Sequence, residues 1–176
     1  MLALQVEPPR GIVANYLVAS AMERAHDFVH ACSLARCGAA LGRNFFTGEL
    51  KEELARRINS FRTPDGGFHG TPGRAHGSTY GALLAWGALS DLDASLPEPE
   101  RLLDSLRPLR LEDGSFANER GLAQGTTSAT AAALTLCRHL QEPPPDHCGE
   151  WLLRQQHASG GFLATPQAPL PDLLST

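Results

Sequence analysis

The sequence predicts an all-α fold made of repeated helix hairpins. Two observations support this prediction: a glycine-rich turn occurs three times, and one-sided helical segments alternate with wholly apolar ones around it. The three turns are Asp65-Gly66-Gly67-Phe68, Asp113-Gly114-Ser115-Phe116 and Ser159-Gly160-Gly161-Phe162. Their aromatic residues are 48 and then 46 positions apart, a period typical of helical repeat proteins. We expect residues 1–176 to form one domain of about three and a half hairpins.

The same period extends beyond the turns. An apolar residue stands ten positions before each of these aromatic residues, and a long polar residue stands six positions before it. The apolar residues are Ile58, Leu106 and Leu152, and the polar ones are Arg62, Arg110 and Gln156. Glycine suits these turns because a chain that leaves a helix through a tight reversal needs a positive φ.

The elements are predicted in chain order from their patterns. Arg10 to about Met22 is expected as an outer helix, and His26 to about Leu41 as its inner partner. Leu50 to Phe61 has apolar residues at helical spacing and charges on the other face, so it is expected to lie outside. Thr47 is placed to cap this helix.

Two further segments are apolar around most of their circumference, which is typical of buried helices. Residues 78–89 follow the first turn and residues 126–136 follow the second. Prolines delimit the outer helices between them: Pro97 and Pro99 begin one, Pro108 ends it, and Pro143 to Pro145 precede the last. Hairpins of this kind stack into a curved double layer whose inner helices form the concave wall.

Asp172-Leu173-Leu174-Ser175-Thr176 stands where the next inner helix is expected to begin. A repeat array normally ends on a helix with a polar outer face, and this segment does not provide one. We therefore expect that the chain is part of a longer array or that another chain, such as a second copy, supplies the rest of the wall.

Composition excludes some functional classes. The net charge of −4 comes without a basic block, so nucleic-acid binding is not expected. The four cysteines lack paired CxxC spacing, and no signal peptide or long apolar span is visible. We expect a cytoplasmic protein with reduced cysteines and no membrane span.

The turns resemble those of a known superfamily. Gln156-His157-Ala158-Ser159-Gly160-Gly161-Phe162 resembles the QxxxGxW/F repeat of squalene-hopene and related terpene cyclases. Residues 65–73, Asp-Gly-Gly-Phe-His-Gly-Thr-Pro-Gly, are similar to a stretch of bacterial-type protein prenyltransferase β subunits. The resemblance implies a partial α/α toroid, whose complete members hold an isoprenoid chain in an apolar central cavity.

The resemblance does not extend to the family's reactive groups. Protein prenyltransferases hold zinc with an Asp and a Cys two residues apart and with a His of a later DxxHT motif. The matching positions here are His76, Ser78 and Ser175, so no zinc and no other cofactor is expected. Asp146-His147-Cys148 has the right spacing but falls at the start of an outer helix. The acidic DxDD motif of the cyclases is absent from the sequence.

Asp27 and His30 are the candidate catalytic pair. They lie one turn apart at the start of the first inner helix and resemble a family DxxH[TA] segment. In one interpretation Asp27 orients His30 for acid–base chemistry. In the other, Asp27 caps the helix and His30 is a helix-start residue.

Further residues are candidates for contact with a ligand: His76, Ser78, Tyr80, Trp86, Thr127 and Asp172. Hydroxyl groups at helix starts also cap helices, and the repeated phenylalanines are better explained as residues that wedge the turns between hairpins.

The sequence leaves two alternative functions. One is a prenyltransferase-like domain that binds an isoprenoid or another long apolar molecule, with its catalytic activity left open. The other is a non-catalytic scaffold that binds a protein or a second copy of itself.

Overall fold

A computed structural model describes residues 9–22, 27–42 and 44–176. Within these ranges it contains seven α-helices. They are α1 Arg10–Met22, α2 Phe28–Leu41, α3 Gly48–Asn59, α4 Thr79–Asp91, α5 Pro99–Leu106, α6 Thr127–His139 and α7 Cys148–Arg154. A short 3-10 helix, Arg107–Leu109, extends α5.

The helices form two layers. The inner helices α2, α4 and α6 pack side by side, and the outer helices α1, α3, α5 and α7 lie behind them. Three hairpins and a fourth outer helix result, which confirms the predicted all-α hairpin array. No helix in the described part of the chain is long and apolar enough to cross a membrane.

Several predicted helix ends need adjustment. Helix α2 begins at Phe28, and the predicted start at His26 lies outside the described residues. Thr47 holds the predicted N-cap position of α3, but its side chain makes no capping hydrogen bond. Helix α5 ends at Leu106, and Pro108 lies in the 3-10 helix that follows.

Each glycine-rich turn is closed by a short antiparallel pairing. The aromatic residue bridges to the long polar residue six positions earlier, in the pairs Arg62–Phe68, Arg110–Phe116 and Gln156–Phe162. The second residue of each turn is a glycine with left-handed backbone, with φ of +93° at Gly66, +90° at Gly114 and +89° at Gly160. A Cβ on Gly66 would lie 2.6 Å from the Cβ of Arg101. Glycine there permits both the turn and the close approach of α5.

The first two aromatic residues of the turns belong to the core. Phe68 and Phe116 are buried, as expected of residues that wedge the turns between hairpins. Phe162 is only half-buried, because no further hairpin among the described residues packs over the third turn.

Threonines at the start of the inner helices tie each hairpin to the next. The Thr79 amide donates to the Asn118 carbonyl (2.9 Å), and its Oγ1 donates to the Ala117 carbonyl (2.8 Å). Thr127 repeats both bonds with the carbonyls of Ala164 (2.9 Å) and Leu163 (2.6 Å). Because the threonine side chains are buried, the bonded carbonyls have little access to water as an alternative partner.

Replacing Thr79 with Val tests this tie. The variant keeps the shape but leaves the Ala117 carbonyl without its hydroxyl donor. We expect it to lower the free energy of unfolding by about 1–3 kcal/mol, measured by urea denaturation followed by circular dichroism. Thr135→Val is the control, since the Thr135 hydroxyl bonds the Ala131 carbonyl of its own helix. Equal losses in both variants would contradict the inter-hairpin role.

Candidate functional site

The N-terminal ends of the inner helices form a row that we call the rim, and a capping residue marks each of them. The side-chain oxygen of this residue accepts from a backbone amide three positions later. The pairs are Asp27 with His30 (2.8 Å), Ser78 with Gly81 (3.0 Å) and Thr126 with Ala129 (3.1 Å). After the third turn, Asp172 accepts from the Ser175 amide in the same way (3.0 Å), although residues 173–175 form a turn and not a helix. Asp172 thus occupies the same place after the third turn that Asp27 occupies in α2.

The rim contains several predicted site residues, and most of them make hydrogen bonds that hold helix starts and turns. The Asp27 carboxylate meets the amide of His30, which is the capping contact. Ser78 is buried and caps α4, whereas Thr127 holds the turn of the next hairpin. Tyr80 is half-exposed on α4. The catalytic role of Asp27 and His30 stays a prediction.

The inner helices enclose a cavity of about 620 Å³ on their shared face, which we call the wall pocket. Its apolar part is built mainly by α4, through Leu83, Leu84 and Trp86. Its polar part includes one residue of each helix: Arg36 from the middle of α2, and Asp91 and His139, the last residues of α4 and α6.

Contacts between helices organise this pocket. The Trp86 ring packs on the His139 ring, with centroids 4.3 Å apart and planes tilted by 30°. Arg36 Nε lies 2.7 Å from Asp91 Oδ2. A Cβ on Gly87 would lie 2.9 Å from Arg36 Nη2, so glycine lets the guanidinium lie close against α4.

A separate polar groove of about 240 Å³ lies between the loops of the first and second turns and contains His76. His76 Nδ1 is 3.4 Å from Asp65 Oδ2, and His69 Nε2 is 3.5 Å from Glu119 Oε1. Arg74 also pairs with Glu119, at 3.1 Å. These contacts join the first turn to the second.

Asp65 anchors the first turn in its ionised form. Burial by itself would raise its pKa, but hydrogen bonds from the Thr63 hydroxyl and the amides of Gly67 and Gly77, with the nearby His76, outweigh this and hold the pKa below its usual value. At the matching position, Asp113 accepts from Trp151 Nε1 at 2.9 Å. Both aspartates therefore fasten a turn to a neighbouring element.

The sequence candidates are thus distributed over three places: the rim, the wall pocket and the groove. Of the predicted ligand contacts, Trp86 lines the wall pocket. Sequence reasoning missed Arg36, Asp91 and His139. The signal was available in part, because His30, Ser33 and Arg36 are polar residues at helical spacing in α2, but their partners on other helices could not be assigned.

The positions where the family keeps zinc do not fit this metal. His76 faces Asp65, Ser78 caps α4, and the Ser175 hydroxyl donates to Asp172 at 2.9 Å. No group of three or more His, Cys, Asp or Glu side chains in the described ranges is arranged to hold a metal ion. Cys148 is buried at the start of α7, and burial raises the pKa of its thiol.

Comparison with known proteins gives one family. Residues 21–169 match the model of the prenyltransferase alpha-alpha toroid domain. The match includes all three glycine-rich turns and confirms the superfamily resemblance that they predicted. No curated protein matches the chain.

Acid titration of the Asp65→Asn variant tests the anchoring of the first turn. A folded-state pKa below the unfolded value of about 3.9 means that Asp65 stabilises the fold above about pH 4 and loses this contribution as the pH falls through its folded pKa. The variant should be less stable at pH 7 by about 1–2 kcal/mol, and its stability should fall less than that of the unaltered protein between pH 5 and pH 2.5. Urea denaturation at each pH measures both.

Glu112→Gln is the control for this titration, since it removes an exposed carboxylate next to the second turn. Its acid dependence should follow that of the unaltered protein. An Asp65→Asn curve parallel to the unaltered one would contradict the anchoring role.

Proposed function

This chain belongs to the family of prenyltransferase alpha-alpha toroid domains, and on that premise we propose that it binds an isoprenoid or another long apolar molecule against its concave wall. The wall pocket carries the proposal. Its volume of about 620 Å³ lies within the usual range of small-molecule sites, about 300–1,000 Å³. Leu83, Leu84 and Trp86 offer apolar surface to a hydrocarbon chain.

The hydrophobic effect sets the expected affinity. Burying roughly 300 Å² of ligand surface at about 25 cal/mol per Å² provides about 7 kcal/mol. This free energy is an upper bound, because association also costs translational and rotational freedom, and it corresponds to a dissociation constant no tighter than roughly 10 μM. The half-open shape of a wall built from three inner helices is consistent with such moderate affinity.

We propose a binding role in preference to the zinc-dependent transfer reaction of the family. His76, Ser78 and Ser175 take the places of the zinc ligands and are engaged in local contacts. Asp27 and His30 are the candidates for a catalytic step, at the N-terminal end of the same helix whose later turns line the wall pocket.

Filling the wall pocket tests the proposal. Thr135 lines it from α6, and Thr135→Phe places a ring where the ligand would lie. We expect the affinity for farnesol, measured by isothermal titration calorimetry, to fall at least about tenfold, which corresponds to losing roughly 55 Å² of apolar contact. Glu52→Phe on the exposed side of α3 is the control and should bind like the unaltered protein. Undiminished binding by Thr135→Phe would place the ligand elsewhere.

Self-association is a second candidate function, favoured by apolar side chains exposed at both ends of the array. At one end α1 exposes Ile12 and Tyr16, and at the other Leu173 and Leu174 are more than nine-tenths exposed. Contiguous apolar surface of this kind is typical of protein contacts. A second copy packed end to end would cover both surfaces and extend the concave wall.

Light scattering after size exclusion tests self-association. We expect a concentration-dependent dimer that becomes monomeric when Leu173 and Leu174 are both changed to Ser, because the end surface loses its apolar contacts. Leu122→Ser is the control, since Leu122 is half-exposed in the second turn loop, away from both ends. A strict monomer for the unaltered protein at high concentration would rule out this function.

A further inference from the structure

The wall pocket changes from apolar to polar along the inner helices. All three helices begin at the rim, so residue order within a helix gives the distance from it. Leu83 and Leu84 lie in the middle of α4, whereas Asp91 is its last residue and His139 is the last residue of α6. The pocket therefore offers hydrocarbon contacts towards the rim and hydrogen-bonding groups at the far end.

Arg36 lies in the middle of α2, and its guanidinium reaches Asp91 at the end of α4. Its Nε lies 2.7 Å from Asp91 Oδ2, which makes an ion pair between the two helices. About two-thirds of the Arg36 side chain is still exposed. The terminal amino groups of its guanidinium present an edge that matches the two coplanar oxygens of a carboxylate.

We infer that the wall pocket takes a carboxylate-bearing amphiphile, with its hydrocarbon tail directed towards the rim and its carboxylate held by Arg36. This assignment rests on the proposed binding of an apolar molecule and specifies its polar end. Arg36 then determines the preference for a carboxylic acid over an alcohol. Leu83, Leu84 and Trp86 contribute affinity that acids and alcohols share.

Farnesol and farnesoic acid test the assignment, because they share a fifteen-carbon tail and differ in the terminal group. Calorimetric titration at pH 7.5, below the aggregation limit of either compound, should show about tenfold tighter binding of the acid, as expected for one charge-assisted bidentate contact. In Arg36→Gln the preference should disappear, because the affinity for the acid falls to that for farnesol measured with the same variant. In Arg138→Gln the preference should persist, since this matched control removes the same charge from a residue of α6 that does not line the pocket.

The outcomes separate this assignment from the proposed function. Farnesol binding without a preference for the acid, or with a preference that Arg36→Gln leaves intact, would overturn the role of Arg36 and leave the apolar site in place. Binding of neither compound would overturn both. If Arg36→Gln also lost its affinity for farnesol, Arg36→Lys would test the role of the guanidinium. The lysine ammonium retains the charge beside Asp91 but lacks the planar pair of donors. A full tenfold preference in that variant would overturn bidentate recognition.

Discussion

The first residue of an inner helix is held by the turn of the next hairpin, and the rest of the array depends on this constraint. Thr79 and Thr127 each donate two hydrogen bonds, one from the backbone amide and one from the hydroxyl, to two consecutive carbonyls of the following turn. Four hydrogen bonds in buried surroundings thereby fix the start of one helix relative to the next hairpin. A shift of the helices along one another would leave these carbonyls without donors, at a cost of about 1–3 kcal/mol each. The spacing of the concave wall is set by backbone contacts as well as by side-chain volume.

This constraint explains the small residues of the inner helices. Once the starts of α4 and α6 are fixed, the separation of their later turns follows, and bulky residues at every facing position would not fit. Ala85 and Ala88 are buried between helices, while Gly87 leaves room for the guanidinium of Arg36. The larger Leu83, Leu84 and Trp86 are only partly covered, because they face the open side of the wall. Close packing between helices and open apolar surface on the concave face arise from the same alternation of side-chain sizes.

Much of the fold could be predicted from local sequence, because a repeat needs only contacts between neighbours. The glycine-rich turns, the outer and inner helices and the number of hairpins follow from spacing and apolar pattern. The candidate site was less predictable. A pair such as Asp27 and His30 is suggested by helical spacing, yet spacing does not tell a backbone amide from an imidazole as the partner of a carboxylate, and the structure shows the amide contact. Arg36 and Asp91 lie on different helices, and only the packing of α2 on α4 brings them to 2.7 Å.

Rim residues and wall residues of this fold differ in how freely they can be substituted. Rim residues are constrained, because Asp27, Ser78 and Thr126 each satisfy an otherwise unpaired amide at a helix start. A substitution there must supply another acceptor or lose helix stability. Wall positions do not cap a helix. Arg36, Gly87 and Thr135 all line one pocket, although these residues differ in size and charge. Ligand preference can therefore vary through the wall while the hydrogen bonds that align the helices stay unchanged.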